Sequence, residues 1–217
     1  YNVKILDIKK LNHNILSIKI EKPKNFKFKA GQFAFISLKG FYARHPFTIS
    51  NSPSEGFIEF TIKIEGKFTK ALFKSEIGTI LKLEGPHGTF TINDENKNMV
   101  FIGGGIGITP FKSLISKINK DSNVTLFYGV RKHEDLIFEN EFNKSNIRKR
   151  FYVLSRELKD GYIKGYIDSH LIKKNVEDIQ KSNYYICGPV TLKKSIIDFL
   201  LKEGVKKEKI HFEEFVW

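Results

Sequence analysis

Short apolar segments separated by polar, turn-forming residues dominate the first part of the chain. The apolar residues fall within residues 3–8, 15–20, 33–38, 47–50, 57–64 and 80–83. Segments of this length, with turn signals between them, are typical of the strands of an antiparallel β-barrel. One helical segment is predicted at residues 69–75. Residues 93–98 are polar and lack apolar periodicity, so we predict a boundary between a first domain of residues 1–95 and a second of residues 96–217.

From residue 99 onward the pattern changes to strands that alternate with helices. Apolar runs predict strands at residues 99–102, 124–127, 151–154 and 184–186, and helical spacing predicts helices at 111–118, 136–142 and 191–202. A last strand is expected to contain His211, Phe212, Phe215 and Trp217. This alternation predicts a doubly wound parallel sheet, in which ligands bind at the carboxyl ends of the strands.

A glycine-rich turn follows the first strand of this second half. Gly104, Gly105 and Gly107 allow a tight turn and a close approach of the backbone to a ligand. Thr109 and Pro110 suit the start of a helix, because proline needs no hydrogen-bond partner there. A strand, a glycine turn and a helix N-terminus direct free N–H groups at one point, which favours a phosphate. The alternative is a structural turn without a ligand.

Three more loops are expected at the same edge of the sheet. They contain Arg131, then Ser155 and Arg156, and finally Cys187, Gly188 and Pro189. NAD-binding folds place an acidic residue about 20 residues after the glycines, where it binds the ribose 2′-hydroxyl. Here the corresponding region, residues 127–131, has no acid before Arg131, and a cation in that place fits a 2′-phosphate. We therefore predict NADPH rather than NADH, the alternative being that both arginines lie on a solvated rim.

One segment of the first half could hold a flat heterocycle. It consists of His45, Pro46, Phe47 and Thr48, preceded by Arg44. Phe47 offers a flat π face, Thr48 a hydroxyl group, and Arg44 and His45 positive charge for an anionic tail. The alternative is an ordinary strand edge with a core phenylalanine.

A second segment of the first half could bind an anion. It consists of Gly66, Lys67, Phe68 and Thr69, at the start of the predicted helix. Thr69 could cap this helix, and Lys67 would add positive charge near its N-terminus. The alternative is a capped helix without a ligand.

Composition excludes several classes of protein. The net charge is +13, but the basic residues are mostly lysines spread along the chain, so we do not predict nucleic-acid binding. A single cysteine, Cys187, excludes an intrachain disulfide and an iron–sulfur cluster, which takes about four cysteines. The histidines have no metal-ligand spacing, so no metal site is expected. No run approaches the roughly 20 apolar residues of a membrane span. The chain starts at Tyr1 rather than Met, so we expect an excised part of a longer protein, the alternative being a processed terminus.

Taken in order, these motifs resemble the ferredoxin–NADP reductase superfamily over essentially the whole chain. His45 to Thr48 stands where that family has Arg-x-Tyr-Ser/Thr, and Gly66 to Thr69 is similar to its second flavin motif. Cys187 to Pro189 is similar to the nicotinamide-side motif, and Ser155 to Glu157 to the 2′-phosphate element. The His-Pro-Phe-Thr variant, together with Gly104 to Phe111, resembles the NADPH oxidase and ferric-reductase branch.

The resemblance implies FAD on the first domain and NADPH on the second. Phe47 would pack on the isoalloxazine and Thr48 would bond near its N5, while His45 and the turn at residues 66–69 would hold the pyrophosphate. Lys63 would reach the ribityl chain or the pyrophosphate. Cys187 would pack beside the nicotinamide as an orienting residue. Hydride would pass from NADPH to FAD, and electrons would then leave one at a time.

The resemblance also implies a complete electron path. It indicates the dehydrogenase domain of a bacterial NADPH oxidase, at the cytoplasmic face of the membrane. Its partner would be a haem-bearing transmembrane domain, with superoxide as the product. One alternative is a soluble flavin or ferric reductase, and another is a basic binding module without redox activity.

The carboxyl terminus resembles two endings of the family. Glu213 to Phe215 is similar to the Glu-x-Phe ending of bacterial relatives, and a terminal aromatic residue is found in plant-type reductases and NADPH oxidases. Such an aromatic ring would stack on the flavin where nicotinamide must enter. Trp217 is our first choice for this role and Phe215 the second. With Thr48 and Cys187, these residues and Glu213 form the predicted catalytic set.

Overall fold

A computed structural model describes residues 1–93 and 97–213, which form two six-stranded sheets. The first sheet is antiparallel and has the strand order β4-β3-β6-β1-β2-β5. Its elements are β1 (Asn2–Lys10), β2 (Ile15–Glu21), β3 (Phe33–Leu38), β4 (His45–Thr48), β5 (Phe57–Lys63), helix α1 (Lys67–Phe73) and β6 (Ile80–His87). A bridge between Ile49 and Phe60 joins its two edge strands, so the sheet closes as a barrel.

Alternation of side chains along each strand fills the barrel. In β1, Val3 and Ile5 are buried, whereas Lys4 and Leu6 are exposed. Residues with a period of two lie on one face of a strand, and the apolar set therefore forms the core. Leu16, which is fully buried on β2, belongs to the same core. The antiparallel barrel predicted from this alternation is confirmed.

The second sheet is parallel throughout and has the order β10-β9-β8-β7-β11-β12. Its elements are β7 (Asn98–Gly104), α2 (Thr109–Leu114), β8 (Asn123–Val130), α3 (Glu139–Lys144), β9 (Lys149–Leu154), β10 (Ile163–Lys164), α4 (Ser169–Asn175), β11 (Asn183–Cys187), α5 (Val190–Lys202) and β12 (Ile210–Phe212). The chain runs outward from β7 to β10 and then returns to the other side of β7. The loops that follow β7 and β11 therefore meet where the strand order reverses.

Helices cover both faces of this sheet, as a doubly wound fold requires. Phe101 of β7 packs in one core with Phe111 of α2, and Ile102 packs in the other with Ile196 of α5. Adjacent residues of a strand point to opposite faces, so an entirely apolar strand serves both cores. The predicted doubly wound sheet is confirmed.

One predicted helix differs from the structure, and two other predictions extend beyond the described residues. The helix predicted at 136–142 begins only at Glu139, because Phe138 has a φ of 63° and cannot continue a helix. The last strand, β12, includes His211 and Phe212, whereas Phe215 and Trp217 lie outside the described residues. The predicted domain boundary between residues 95 and 96 also lies outside them and stays a prediction. Within residues 1–93 and 97–213, no helix is long and apolar enough to cross a bilayer.

Candidate cofactor-binding site

The two flavin segments predicted from sequence meet at one aromatic surface. His45 and Phe47 alternate along β4, opposite Ile36 and Ala34 of β3, so both project on the same face. The His45 ring stacks on Phe68 of α1, with 4.0 Å between ring centroids and 22° between planes. Phe47 lies nearly parallel to Phe68, at 6.2 Å and 11°. Flat rings that share an orientation suit a flat heterocycle.

The start of α1 is organised differently from the prediction. Gly66 is the N-cap and makes no side-chain cap bond, whereas Thr69 is the third residue of the helix. The Thr69 hydroxyl accepts hydrogen bonds from the backbone N–H groups of Glu65 (3.0 Å) and Gly66 (3.1 Å). Thr69 therefore fixes the turn from inside the helix and is not its N-cap. The first N–H groups of α1 remain available to an anion.

Charge near this turn is partly neutralised by neighbouring carboxylates. Arg44 forms an ion pair with Glu84 and lies over the Phe35 ring, and Lys63 pairs with Glu65. Burial lowers the pKa of His45 below its usual value, so this ring is neutral at pH 7. His45 therefore offers a hydrogen bond rather than the expected charge.

Lys67 is the cation left at this turn. It is exposed at the first position of α1 and has no ion-pair partner among the described residues. A cation there adds to the partial positive charge of the helix N-terminus and favours an anion.

The glycine turn joins β7 to α2 through a 3-10 turn at Gly105–Ile108, and α2 starts at Thr109, as predicted, with Pro110 second. Gly105 has a φ of 54°, and a Cβ placed there would meet nothing within 4 Å. A Cβ on Gly107 would lie 2.5 Å from the Cys187 carbonyl oxygen. Gly105 therefore leaves an open backbone surface that fits a phosphate, and Gly107 allows contact with the loop after β11.

That loop consists of Cys187, Gly188 and Pro189, and it lies against the end of β7. Gly188 has a φ of 152°, and a Cβ there would lie 2.9 Å from the Gly104 nitrogen. Burial raises the pKa of the Cys187 thiol to about 12, the negative charge of Glu213 acts in the same direction, and Lys193 opposes both. Cys187 therefore stays a neutral thiol at neutral pH, which suits packing and not nucleophilic attack.

Glu213, just beyond β12, lies at the interface between the domains. The residue is 9% exposed, and its Oε2 has no hydrogen-bond partner within residues 1–93 and 97–213. Burial raises its pKa to about 7, although Lys193 opposes the rise. A Cβ on Gly88 would lie 3.2 Å from Glu213 Oε1 and 2.9 Å from Phe33, which pairs with Thr48 in the β3–β4 ladder. Glu213 thus lies near Cys187 and close to the barrel at Gly88 and Phe33, while Phe215 and Trp217 are outside the described residues.

The predicted 2′-phosphate residues lie together at the carboxyl edge of β8 and β9. The Arg156 backbone N–H donates to the Arg131 carbonyl at 2.8 Å, and the Ser155 N–H donates to the Val130 carbonyl at 3.0 Å. Both arginines are exposed, and neither has an ion-pair partner among residues 1–93 and 97–213. Their guanidinium groups are therefore open to an anion from solvent.

The structure adds two residues to this edge that the sequence did not indicate. The Lys164 ammonium donates to the Ser155 carbonyl at 3.1 Å, and Tyr166 is 76% exposed just after β10. Glu157, next to Arg156 in the chain, accepts the His133 backbone N–H at 2.6 Å through Oε2. β10 has only two residues and shows no periodicity, so no sequence pattern pointed to this part of the edge.

Comparisons with known proteins agree with this geometry. Residues 1–104 match an FAD-binding domain family, and residues 101–197 match an oxidoreductase NAD-binding domain family. The chain is 28% identical to the sulfhydrogenase 2 gamma subunit of Pyrococcus furiosus, over 97% of this chain and 82% of the relative. It is 27% identical to a propane 2-monooxygenase reductase component of Mycolicibacterium goodii, over 97% of this chain and 66% of the relative. It is 26% identical to a component of the Na⁺-translocating NADH-quinone reductase of Psychrobacter cryohalolentis, over 85% of this chain and 52% of the relative.

Solved structures show the same fold. The ferredoxin reductase of a carbazole 1,9a-dioxygenase superposes with a TM-score of 0.85 at 25% identity, covering 99% of this chain and 69% of the other. A ferredoxin–NADP⁺ reductase from Neisseria gonorrhoeae, solved with FAD and NADP, gives 0.85 at 20% identity and covers 98% and 97% of the two chains. At that identity the second likeness concerns the fold alone.

A barrel that binds FAD, followed by a parallel sheet that binds a nicotinamide dinucleotide, defines an electron-transfer flavoprotein module. The chain belongs to the ferredoxin–NADP reductase-like superfamily. The predicted superfamily is thereby confirmed. The chain spans two thirds or less of several relatives, including 66% of the monooxygenase reductase and 52% of the quinone reductase component.

Proposed function

We propose that this chain is an FAD-dependent NADPH dehydrogenase module. Bound FAD takes up hydride from reduced nicotinamide and releases the electrons one at a time. The observation that carries the proposal is the position of Glu213, from the nucleotide domain, which lies near Cys187 and against the barrel at Gly88 and Phe33, the strand partner of Thr48. This contact brings the carboxyl end of the parallel sheet to the barrel, and hydride transfer requires the two cofactor rings to meet there.

In the barrel, aromatic side chains bind the isoalloxazine of FAD and backbone N–H groups bind its pyrophosphate. Phe47 offers a half-buried ring, parallel to the buried Phe68, for the isoalloxazine, and neutral His45 donates or accepts a hydrogen bond beside it. The open N–H groups at the start of α1, with Lys67, bind the pyrophosphate. Thr48, at the end of β4, bonds near the flavin N5. Lys63 first has to leave Glu65 in order to reach the ribityl chain.

The nucleotide domain favours NADPH through unpaired cations. Arg131, Arg156 and Lys164 lie at one edge, and one oxygen of the Glu157 carboxylate already accepts the His133 backbone N–H. Charge-assisted bonds to a 2′-phosphate are the strongest contacts that such a set can make. Tyr166 presents an exposed ring on which adenine can stack.

Glu213 gives the interface a group that titrates near neutrality. Burial raises its pKa to about 7, so both the protonated and the ionised carboxyl are accessible near neutral pH. A neutral carboxyl can donate a hydrogen bond to the nicotinamide carboxamide, whereas an ionised one can only accept. Cys187 keeps its proton and supports the ring by packing.

A two-step measurement tests the activity. The protein is reconstituted with FAD, and flavin reduction by NADPH and by NADH is followed without oxygen by the loss of flavin absorbance. We expect reduction by both nucleotides, with NADPH favoured by about 10- to 100-fold in affinity, as one or two charge-assisted bonds imply. A protein that takes up no FAD when it is supplied would refute the proposal and favour the basic binding module. A clear NADH preference would refute the roles given to Arg131 and Arg156.

For the acceptor, the proposal is a haem-bearing transmembrane domain, with superoxide formed in the whole protein at the cytoplasmic membrane face. It is supported by the similarity of His45 to Thr48, and of Gly104 to Phe111, to the NADPH oxidase branch. The second candidate is a reductase component that passes electrons to a separate metalloprotein. The relatives named as sulfhydrogenase and monooxygenase components favour this candidate.

The polypeptide encoded by the complete gene separates the two candidates. Paired histidines on transmembrane helices, a haem spectrum and NADPH-dependent superoxide formation are expected for the oxidase. A complete polypeptide without haem, whose flavin is oxidised only by an added protein partner, would refute the oxidase assignment. It would leave the dehydrogenase assignment intact.

A further inference from the structure

A buried ion pair and a hydrogen bond join the two domains close to both predicted cofactor sites. Glu59 of β5 forms an ion pair with Lys112 of α2, and the side chains are only 9% and 17% exposed. The fully buried Ser113 hydroxyl donates to the Asn51 carbonyl at 2.7 Å. We call these two contacts the interdomain clasp.

Both halves of the clasp are held rigidly within their own domains. Glu59 also accepts the Ser17 hydroxyl at 2.6 Å, and its backbone N–H donates to the Asn51 side chain at 2.8 Å. On the other side, the Lys112 ammonium lies 4.5 Å from the centroid of the Phe138 ring. A buried charge with fixed partners has one preferred position, so the pair defines how α2 sits on β5.

The clasp is connected to each cofactor segment by a few residues of ordered chain. Asn51 lies just beyond Thr48, at the end of β4, and Ser50 between them is fully buried and bonded to Thr61 at 3.0 Å. Lys112 lies about one helical turn beyond Gly107, the glycine that contacts Cys187. A displacement of α2 on the barrel therefore moves the nucleotide turn relative to Thr48.

We infer that Lys112 and Glu59 are positioning residues that set the approach of the nicotinamide to the flavin. The inference rests on the proposed function. Neither residue needs to touch a cofactor, because both act through α2 and β5. Hydride transfer is sensitive to displacements of about 1 Å, which can cost up to about 100-fold in rate. Loss of the pair is expected to slow the transfer step while both cofactors still bind.

Three variants test this in the FAD-reconstituted protein. Lys112→Met keeps the aliphatic stem without the charge, Glu59→Gln keeps the bond to Ser17 without the charge, and Lys112→Arg keeps the charge. Anaerobic stopped-flow spectroscopy gives the limiting rate of flavin reduction and the NADPH dissociation constant, and titration gives FAD affinity. The matched control is Lys149→Met, which breaks the exposed pair with Glu177 at the amino end of β9.

We expect the limiting rate to fall by about 10- to 100-fold in Lys112→Met and Glu59→Gln, with affinities for FAD and NADPH changed less than about threefold. The double variant should be no slower than the slower single one, because both remove one contact. Lys112→Arg should recover most of the rate, and Lys149→Met should match the unaltered chain.

Two results would overturn the inference. One is an unchanged limiting rate in variants that fold and bind both cofactors. The other is a loss confined to FAD or NADPH affinity or to thermal stability, which would make the clasp merely structural. An unaltered protein that shows no NADPH-dependent flavin reduction would instead contradict the proposed function, so the two failures are distinguishable.

Discussion

Glu213 is predicted to make the stability of this protein fall as the pH rises from acid to neutral. Its carboxyl is buried, and its pKa lies at about 7 instead of 4.5. In the unfolded chain the group ionises near its ordinary value, so between these two pH values the folded state holds more protons. By linkage, the free energy of unfolding must then decrease with increasing pH over that interval.

The magnitude follows from the difference between the two pKa values. Each unit of pKa corresponds to about 1.4 kcal/mol, so a rise from 4.5 to about 7 corresponds to about 3 kcal/mol. Glu213→Gln keeps the shape of the side chain and cannot ionise. The variant should therefore match the unaltered protein near pH 4 and exceed its free energy of unfolding by about 3 kcal/mol near pH 8.

Urea unfolding of the FAD-free protein, followed by far-ultraviolet circular dichroism at several pH values, measures this difference. The matched control is Glu177→Gln, because Lys149 lowers the pKa of the exposed Glu177 carboxyl. That control should lose a little stability at high pH and gain none. Parallel pH profiles for Glu213→Gln and the unaltered chain would refute the assignment of a buried, high-pKa carboxyl at the interface.

Three further predictions concern the nucleotide domain. Gly107→Ala would bring a Cβ to 2.5 Å from the Cys187 carbonyl oxygen, so it should destabilise the fold by about 1–3 kcal/mol in urea unfolding and weaken NADPH binding. Arg156→Ala should weaken the affinity for NADPH by about 10-fold and leave the affinity for NADH unchanged, both measured by titration. The control Lys174→Ala, on α4, should alter neither affinity. If Trp217 covers the flavin, its removal should change the rate of flavin reduction and the NADPH/NADH preference in stopped-flow measurements. Unchanged kinetics would exclude Trp217 from that role.

The periodicity of apolar residues predicted those strands and helices that bury one or both of their faces. The strand at Val100 to Ile102 and the helix with Ile196 were predictable, because apolar residues recur there at strand or helix spacing. β10 and α4 were not predicted, since β10 has two residues and α4 buries only Ile172. Such elements depend on contacts made by the rest of the domain, which no local pattern records.

The candidate site was predictable from sequence where the backbone itself is expected to bind the ligand. Gly105 and Gly107 predict a turn without side chains, and in the structure Gly105 leaves open space whereas Gly107 packs against Cys187. The role of Thr69 was wrong, because the same residue type can cap a helix or close the turn from within. The Lys112–Glu59 pair could not have been predicted, since it joins two surface-type residues far apart in sequence through tertiary packing.

The positions of the basic residues say more about ligand binding than the net charge of the chain does. Some lysines have acidic partners, as Lys173 has with Glu203, and screened pairs of this kind contribute little to binding. Arg131, Arg156 and Lys164 instead form a group at one edge without ion-pair partners among the described residues. A 2′-phosphate adds about two negative charges at this group and nowhere else. Added salt should therefore weaken NADPH binding more steeply than NADH binding, because screening acts on the extra phosphate. Equal salt dependence for the two nucleotides would mean that the arginines only face solvent.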